Sequence, residues 1–274
     1  MVRSRYSPQS LLEEVNNANT RKKRFISHHK IIEYFHLVNS KTLPVPIGKY
    51  FNPLEKFVNE YKEEVVRYGR KVRKEVKTCI SDVAQAFKIS PEEYTSFPDI
   101  EFFTDDLLKD TPDANAVYLP KWEGNKHGAI ILRDRALGKY HVYAHEGGHF
   151  LRHLFHPIRA DSSDLIANEF FGYAGEEVYG PARQTFNEAT LFSTVVAETF
   201  HGLKHLDSII PEKQRMDIAS AKGLAVIASR SEFKSGIYVD DLVRRPTEQV
   251  ERELRWQSRR LTELTAKYYG GSTR

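Results

Sequence analysis

Apolar and polar positions divide the chain into three textures. From Pro53 to Phe87, apolar residues return every three or four positions, at Leu54, Phe57, Val58, Tyr61, Val65, Tyr68, Val72, Val76, Cys79, Ile80, Val83 and Phe87. Lys, Arg and Glu fill the other face, so the pattern predicts one long amphipathic helix. Its stripe is expected to pack on its own domain, although the same spacing would also admit a partner helix. Between residues 98 and 135 the texture becomes short apolar runs bounded by turn residues: Ile100 to Phe103, Ala116 to Leu119 and Ala129 to Leu132. These predict strands of a small antiparallel sheet, the last two joined by the surface loop KWEGNKHG. From residue 138 the period is helical again, with helices expected near 139–155, 164–178, 183–205, 211–230 and 247–268. Pro157, Gly180-Pro181, Pro211 and Pro246 punctuate them.

Ahead of the long helix lie two short helical patterns, Ser10 to Asn17 and Ile26 to Val38. An extended connection, SKTLPVPIGKYFNP, follows with three prolines in fourteen residues. No internal repeat is visible. The expected fold is α+β and mostly helical, with an N-terminal helical region over 1–94 and a second domain over 95–274.

The 274 residues are 40% hydrophobic and 28% charged, which excludes a collagen-like or wholly disordered chain. A single cysteine, Cys79, rules out an intramolecular disulfide framework and a cysteine-based zinc finger, and it points to a reducing compartment. No run approaches the ~18 apolar residues of a spanning helix, and the opening MVRSRYSPQSLLEEVNN lacks the apolar core of a secretory signal. A cytoplasmic location, with no membrane partner, is the expectation. The net charge of +4 is spread along the chain. Its densest basic cluster, Arg21-Lys22-Lys23-Arg24, reads as a solvated face, and no nucleic-acid contact is expected from it.

One segment changes this picture. GKYHVYAHEGGHFLRHLFHP, residues 138–157, contains His145-Glu146-Gly147-Gly148-His149, an H-E-x-x-H pattern on a predicted helix. Histidines four apart leave one helical face a turn apart, so both imidazoles reach one ion, with Glu146 beside them; the spacing suits zinc. The flanks are apolar or uncharged, as a helix buried beneath a metal site requires. Gly147 and Gly148 each cost about 1 kcal/mol in mid-helix, which predicts that another element approaches that side closely. Helix after strand would also let the edge of Ala129–Leu132 hold an extended peptide beside the ion. His141 and His153 share the register, but ligands three turns apart on one straight helix cannot meet a single ion, so they are expected in outer or surface roles.

In these five residues the chain resembles the zincin metallopeptidases. The metzincin branch continues to a glycine and a third histidine, and Arg152 and Phe155 occupy those places. The gluzincin branch, which includes thermolysin-like enzymes, instead takes a glutamate from the next helix. Asn168-Glu169 follows with nineteen residues between His149 and Glu169, similar to the thermolysin-like spacing. That resemblance implies zinc held by His145, His149 and Glu169. A helix–loop–helix, capped through Ser162-Ser163, would return Glu169 to the ion. Two rivals stay open: Glu188, and Glu198, whose V-A-E-T-F context is similar to the more distant ligand helix of toxin-type gluzincins. Where the thermolysin-like family has an aspartate four residues after its glutamate, this chain has Tyr173. Glu176 and Glu177 read as helix-surface carboxylates. The strands and the Ala167-Asn168 pair also look similar to small cytosolic metallopeptidases that cleave repressors.

The resemblance implies a zinc peptidase acting on a peptide or protein substrate, with Glu146 as general base. Tyr173, Tyr179, His201 and Tyr238 are candidates for stabilising the developing oxyanion, with nothing in the sequence to choose among them. Two other classes share these motifs. One is an inactive or structural zincin-like protein recruiting a protein or nucleic acid through its N-terminal helices. The other is a metal-dependent hydrolase of non-peptide amides.

Overall fold

The structure, a computed structural model, describes residues 52–102, 115–120, 126–132, 136–156, 165–180, 187–233 and 235–270. For 52–68, 101–102 and 268–270 it describes the backbone alone. The patterns at 10–17 and 26–38, the basic cluster at 21–24 and the serines at 162–163 lie outside these residues.

The elements are α1 (Asn52–Ala86), β1 (Asp99–Phe102), β2 (Ala116–Leu119), β3 (Ala129–Leu132), α2 (Tyr140–Phe155), α3 (Leu165–Glu176), α4 (Glu188–Gly202), α5 (Glu212–Ala228), α6 (Val239–Leu242) and α7 (Thr247–Gly270), with 3-10 turns at Pro91–Glu93, Glu177–Tyr179 and Leu203–Leu206. The fold is α+β and mostly helical. The predicted helix at 183–205 begins later, at Glu188. Asn187 sits in extended backbone and its side chain accepts the Thr190 amide at 2.8 Å, an N-cap that sets where the helix can start.

The strands stand in the order β1-β3-β2, and the sheet is mixed rather than antiparallel. Asp99 donates to the Gly128 carbonyl at 3.0 Å, so β1 and β3 begin side by side and run parallel. A Cβ on Gly128 would lie 2.0 Å from the Leu119 carbonyl oxygen, which puts the end of β2 against the start of β3, as in a hairpin. Gly128 there has φ +72°, open to glycine at little cost. β3 is central and fully buried, whereas β2 alternates between buried and half-buried residues. The strand ahead of the motif helix is therefore not an edge, contrary to the expectation for Ala129–Leu132; β2 is one.

Contacts divide the chain into two units: residues 1–75, 100–117 and 131–138, and residues 76–99, 118–130 and 139–274. In the first unit, Val72, Ile131 and Leu132 are buried and Arg73 donates to the Ile100 carbonyl at 3.3 Å. In the second, Val76, Cys79, Ile80, Val83 and Phe87 continue the α1 stripe as core. Phe87 meets Phe171 edge-on at 6.3 Å, which is why residues 76–87 group with the later helices.

Helices α2 and α3 pack through glycines. A Cβ on Gly148 would lie 2.0 Å from the Phe171 carbonyl oxygen, and one on Gly175 would lie 2.3 Å from the Ala144 oxygen; Gly147 faces Ile80 of α1. Two different elements thus occupy the two mid-helix glycines. At the far end of α2, Arg152 is buried and gathers backbone carbonyls, donating to Val243 and Arg245 at 2.8 Å each, to Leu242 at 3.4 Å and to the Thr247 hydroxyl at 3.0 Å. Those acceptors lie where α6 ends and α7 begins, the region in which a helix's last carbonyls lack partners from its own ladder; the Leu242 carbonyl also accepts the Arg245 amide at 3.1 Å.

Gly148→Ala should run against helix propensity. Instead of gaining about 1 kcal/mol, it should lose roughly 1–3 kcal/mol to overpacking, read by urea unfolding; a stabilised variant would show the crossing to be loose. Arg152→Met, which keeps the stem and drops the donors, should lose about 2–4 kcal/mol by the same measurement.

Candidate metal centre

α2 supplies His145, Glu146 and His149 because residues three and four apart share a helix face. α3 supplies Glu169. His145, His149 and Glu169 each bring one ligand atom into a group in which all lie within 4.8 Å of one another. The two Nε2 atoms are 3.1 Å apart, and Glu169 Oε2 is 3.7 Å from His145 Nε2. A tetrahedral zinc with bonds of 2.0–2.1 Å holds its ligand atoms about 3.3 Å apart, so both separations fit a shared ion. Gly172 forms the floor: a Cβ there would lie 2.7 Å from both Nε2 atoms. A side chain at 172 would fill the cradle.

The outer nitrogens of both rings are held. His149 Nδ1 faces Asn168 Oδ1 at 3.1 Å, and His145 Nδ1 faces Glu176 Oε2 at 3.4 Å. With each Nδ1–H donating outward, Nε2 is the atom each ring turns to the centre, its lone pair free on His149 and freed on His145 by loss of that ring's second proton. Glu176 is thus not the surface carboxylate its sequence context suggested. It lies seven residues after Glu169, two turns along the same face of α3, and takes the outer role that Tyr173 cannot. Glu176 also accepts from Lys222 Nζ of α5 at 3.1 Å. Tyr173 stands edge-on to His145 at 4.8 Å, with the Lys222 ammonium 4.9 Å from its ring centre. Glu146 is buried, and its carboxylate accepts the backbone amide of Tyr118 on β2.

The rival glutamates are elsewhere. Glu188, at the start of α4, has Oε2 3.7 Å from Arg260, and Glu198 is exposed on α4. Of the oxyanion candidates, Tyr173 alone touches a residue of the ligand group in the contacts described. Tyr179 donates to Asp82, while His201 and Tyr238 are exposed. His141 is exposed and His153 packs edge-on to Tyr118.

Crowding charges in a buried place moves their protonation. Burial opposes charge on His145, but the Glu176 hydrogen bond and the charges of Glu146, Glu169 and Glu176 outweigh it and lift the imidazole to about 9. Burial and the neighbouring His145 push His149 down to about 3. The pair is complementary, since a proton on His145 Nε2 can point at the lone pair of His149. Burial raises Glu146 to about 7, with Glu169 adding to the rise and His145 opposing it. Glu169 is likewise raised by burial. Glu176 goes the other way: burial would raise it, but His145 and Lys222 bring it down to about 2.

No family model, curated protein or solved structure matches the chain. The geometry of the centre is therefore what bears on function.

Two outcomes follow. At pH 8, above Glu146 and below His145, zinc uptake should release about one proton per ion, and apparent affinity should rise about tenfold per pH unit from ~7.5 towards ~9. Calorimetry in buffers of different protonation enthalpy measures this, and zero release would exclude a protonated His145. Glu169→Ala should weaken zinc binding by more than the ~10–100-fold that loss of an outer partner costs. Glu198→Ala should leave it unchanged. The reverse order would move the third ligand to α4.

Proposed function

We propose that the chain is a zinc-dependent, gluzincin-like metallopeptidase, with His145, His149 and Glu169 as ligands and Glu146 as general base. One observation carries the reading. Three candidate ligand atoms from two helices converge over Gly172 with both imidazoles oriented from behind, while a further side chain, the carboxylate of Glu146, is buried beside them and is not in that group. A structural site has no use for that extra carboxylate.

Bound zinc would supply Lewis acidity, acidifying a water and polarising a carbonyl. The rest belongs to the protein. A divalent ion next to Glu146 would favour its ionised form, so at neutral pH the carboxylate would be ready to accept the water's proton and pass it to the leaving amine. The Tyr118 amide holds that carboxylate by one hydrogen bond. Tyr118 belongs to β2, an edge strand, so an extended peptide added along that edge would lie near the base. Tyr173, beside His145, is the residue of choice for a donor to the developing oxyanion.

Among the described residues no helix is long and apolar enough to cross a membrane. A chain with one cysteine, buried at Cys79, suits the reducing cytoplasm.

The test is Glu146→Gln against wild type on a peptide library, with zinc content measured in parallel. Hydrolysis should fall by about 10²–10⁴-fold with zinc retained. Equal rates would remove Glu146 from the base role. A zinc-loaded wild type that cleaves no peptide would favour the binding-protein reading, and one that cleaves only non-peptide amides would favour the amidohydrolase.

A further inference from the structure

We propose that Lys222, on α5, is a positioning residue for the metal centre: it holds Glu176, and through Glu176 it fixes the His145 ring with Nε2 turned inward. The inference rests on the reading of His145, His149 and Glu169 as ligands.

The two oxygens of Glu176 are divided between two partners. Oε2 faces His145 Nδ1 at 3.4 Å, and Oε1 accepts from Lys222 Nζ at 3.1 Å. The partners come from different helices, α2 and α5, so one carboxylate on α3 ties three helices together. The Lys222 and Glu176 side chains retain 22% and 21% of their exposure, which sets them apart from the solvated pairs that contribute almost nothing. Lys222 reaches the histidine by a second route. Its ammonium is 4.9 Å from the centre of the Tyr173 ring, and that ring stands 4.8 Å edge-on from His145.

Charge gives the arrangement its reason. Glu146, buried, and Glu169 and Glu176, half-buried, bring three carboxylates into one region, and a divalent ion would answer two of their charges. Lys222 answers the third. With the ammonium in place, Glu176 accepts from His145 in a single rotamer. Without it, the carboxylate has one fewer tether and the ring loses its fixed orientation.

Zinc affinity of the full chain, read by competition with a chromophoric chelator, tests this in a double-mutant cycle of Lys222→Met, Glu176→Gln and the pair. Cobalt(II) absorption reports ligand geometry alongside. Glu176→Gln should weaken zinc by about 10–100-fold and Lys222→Met by about 3–10-fold with a shifted cobalt band, as losses behind a ligand do. The double variant should be no weaker than Glu176→Gln, because Lys222 acts through Glu176. Full additivity, or wild-type affinity and an unshifted band in Lys222→Met, would overturn the role. If Lys222→Met does not fold, Lys222→Gln enters the same cycle. A wild type that takes up neither zinc nor cobalt defeats the metal reading itself. A wild type that binds, with a Lys222 variant that binds as well, defeats only the positioning role.

Discussion

The centre depends on how closely α2 and α3 cross. Two helices with ordinary side chains between them lie 8–10 Å apart, and a carboxylate on one then needs a long reach to meet imidazoles on the other. Glycines at 148 and 175 remove the intervening side chains, so backbone meets backbone: Gly148 against the Phe171 carbonyl, and Gly175 against that of Ala144. Gly172 does the same at the centre, where any Cβ would collide with both Nε2 atoms. The helix propensity forfeited at these positions, about 1 kcal/mol each, is the cost of bringing Glu169 within reach of His145 and His149.

Proximity creates an electrostatic problem that the rest of the site answers. Glu146, Glu169 and Glu176 all interact with His145, and burial works against charge on every one of them. One buried and two half-buried carboxylates packed this closely cannot all stay ionised without compensation. Two cationic groups provide some of it, Lys222 at Glu176 and the proton on His145. Burial above all, with the charge of Glu169 adding to it, still lifts Glu146 to about 7. A divalent ion in place of the His145 proton adds one net positive charge, which is what the remaining carboxylate needs.

Much of this was legible in the sequence, for identifiable reasons. The strands at 116–119 and 129–132 and the motif helix follow from apolar period and turn residues, and His145, Glu146 and His149 from fixed helical spacing. What was not legible depends on tertiary contact. A three-run pattern carries no information about strand order, so it does not distinguish the parallel β1–β3 pair from an antiparallel one. The start of α4 turned on whether Asn187 caps, which apolar period does not report. For Glu176 the sequence suggests solvent, because a carboxylate on a helix usually lies there. Its register with Glu169, seven residues on, was the available signal, and Gly172 midway marked the same face as close-packed. Lys222 had no local signal, since its relation to Glu176 exists only once α5 packs on α3.

Arg152 commits the last turn of α2, beyond His149, to packing. It lies one turn beyond His149, where a longer ligand motif would continue, yet its guanidinium is committed to the carbonyls of Leu242, Val243 and Arg245 and lies 4.9 Å from the centre of the Phe171 ring. Phe171 is thereby held from several sides, by Arg152 at its ring, by the edges of Phe87 and Phe170, and by Gly148 at its carbonyl. Gly172, the next residue, is the floor of the centre. A charge used at 152 for anchoring therefore fixes, through one aromatic residue, the backbone on which the ligand geometry rests, so the stability of the α2–α3–α7 packing and the shape of the centre are not separable properties in this chain.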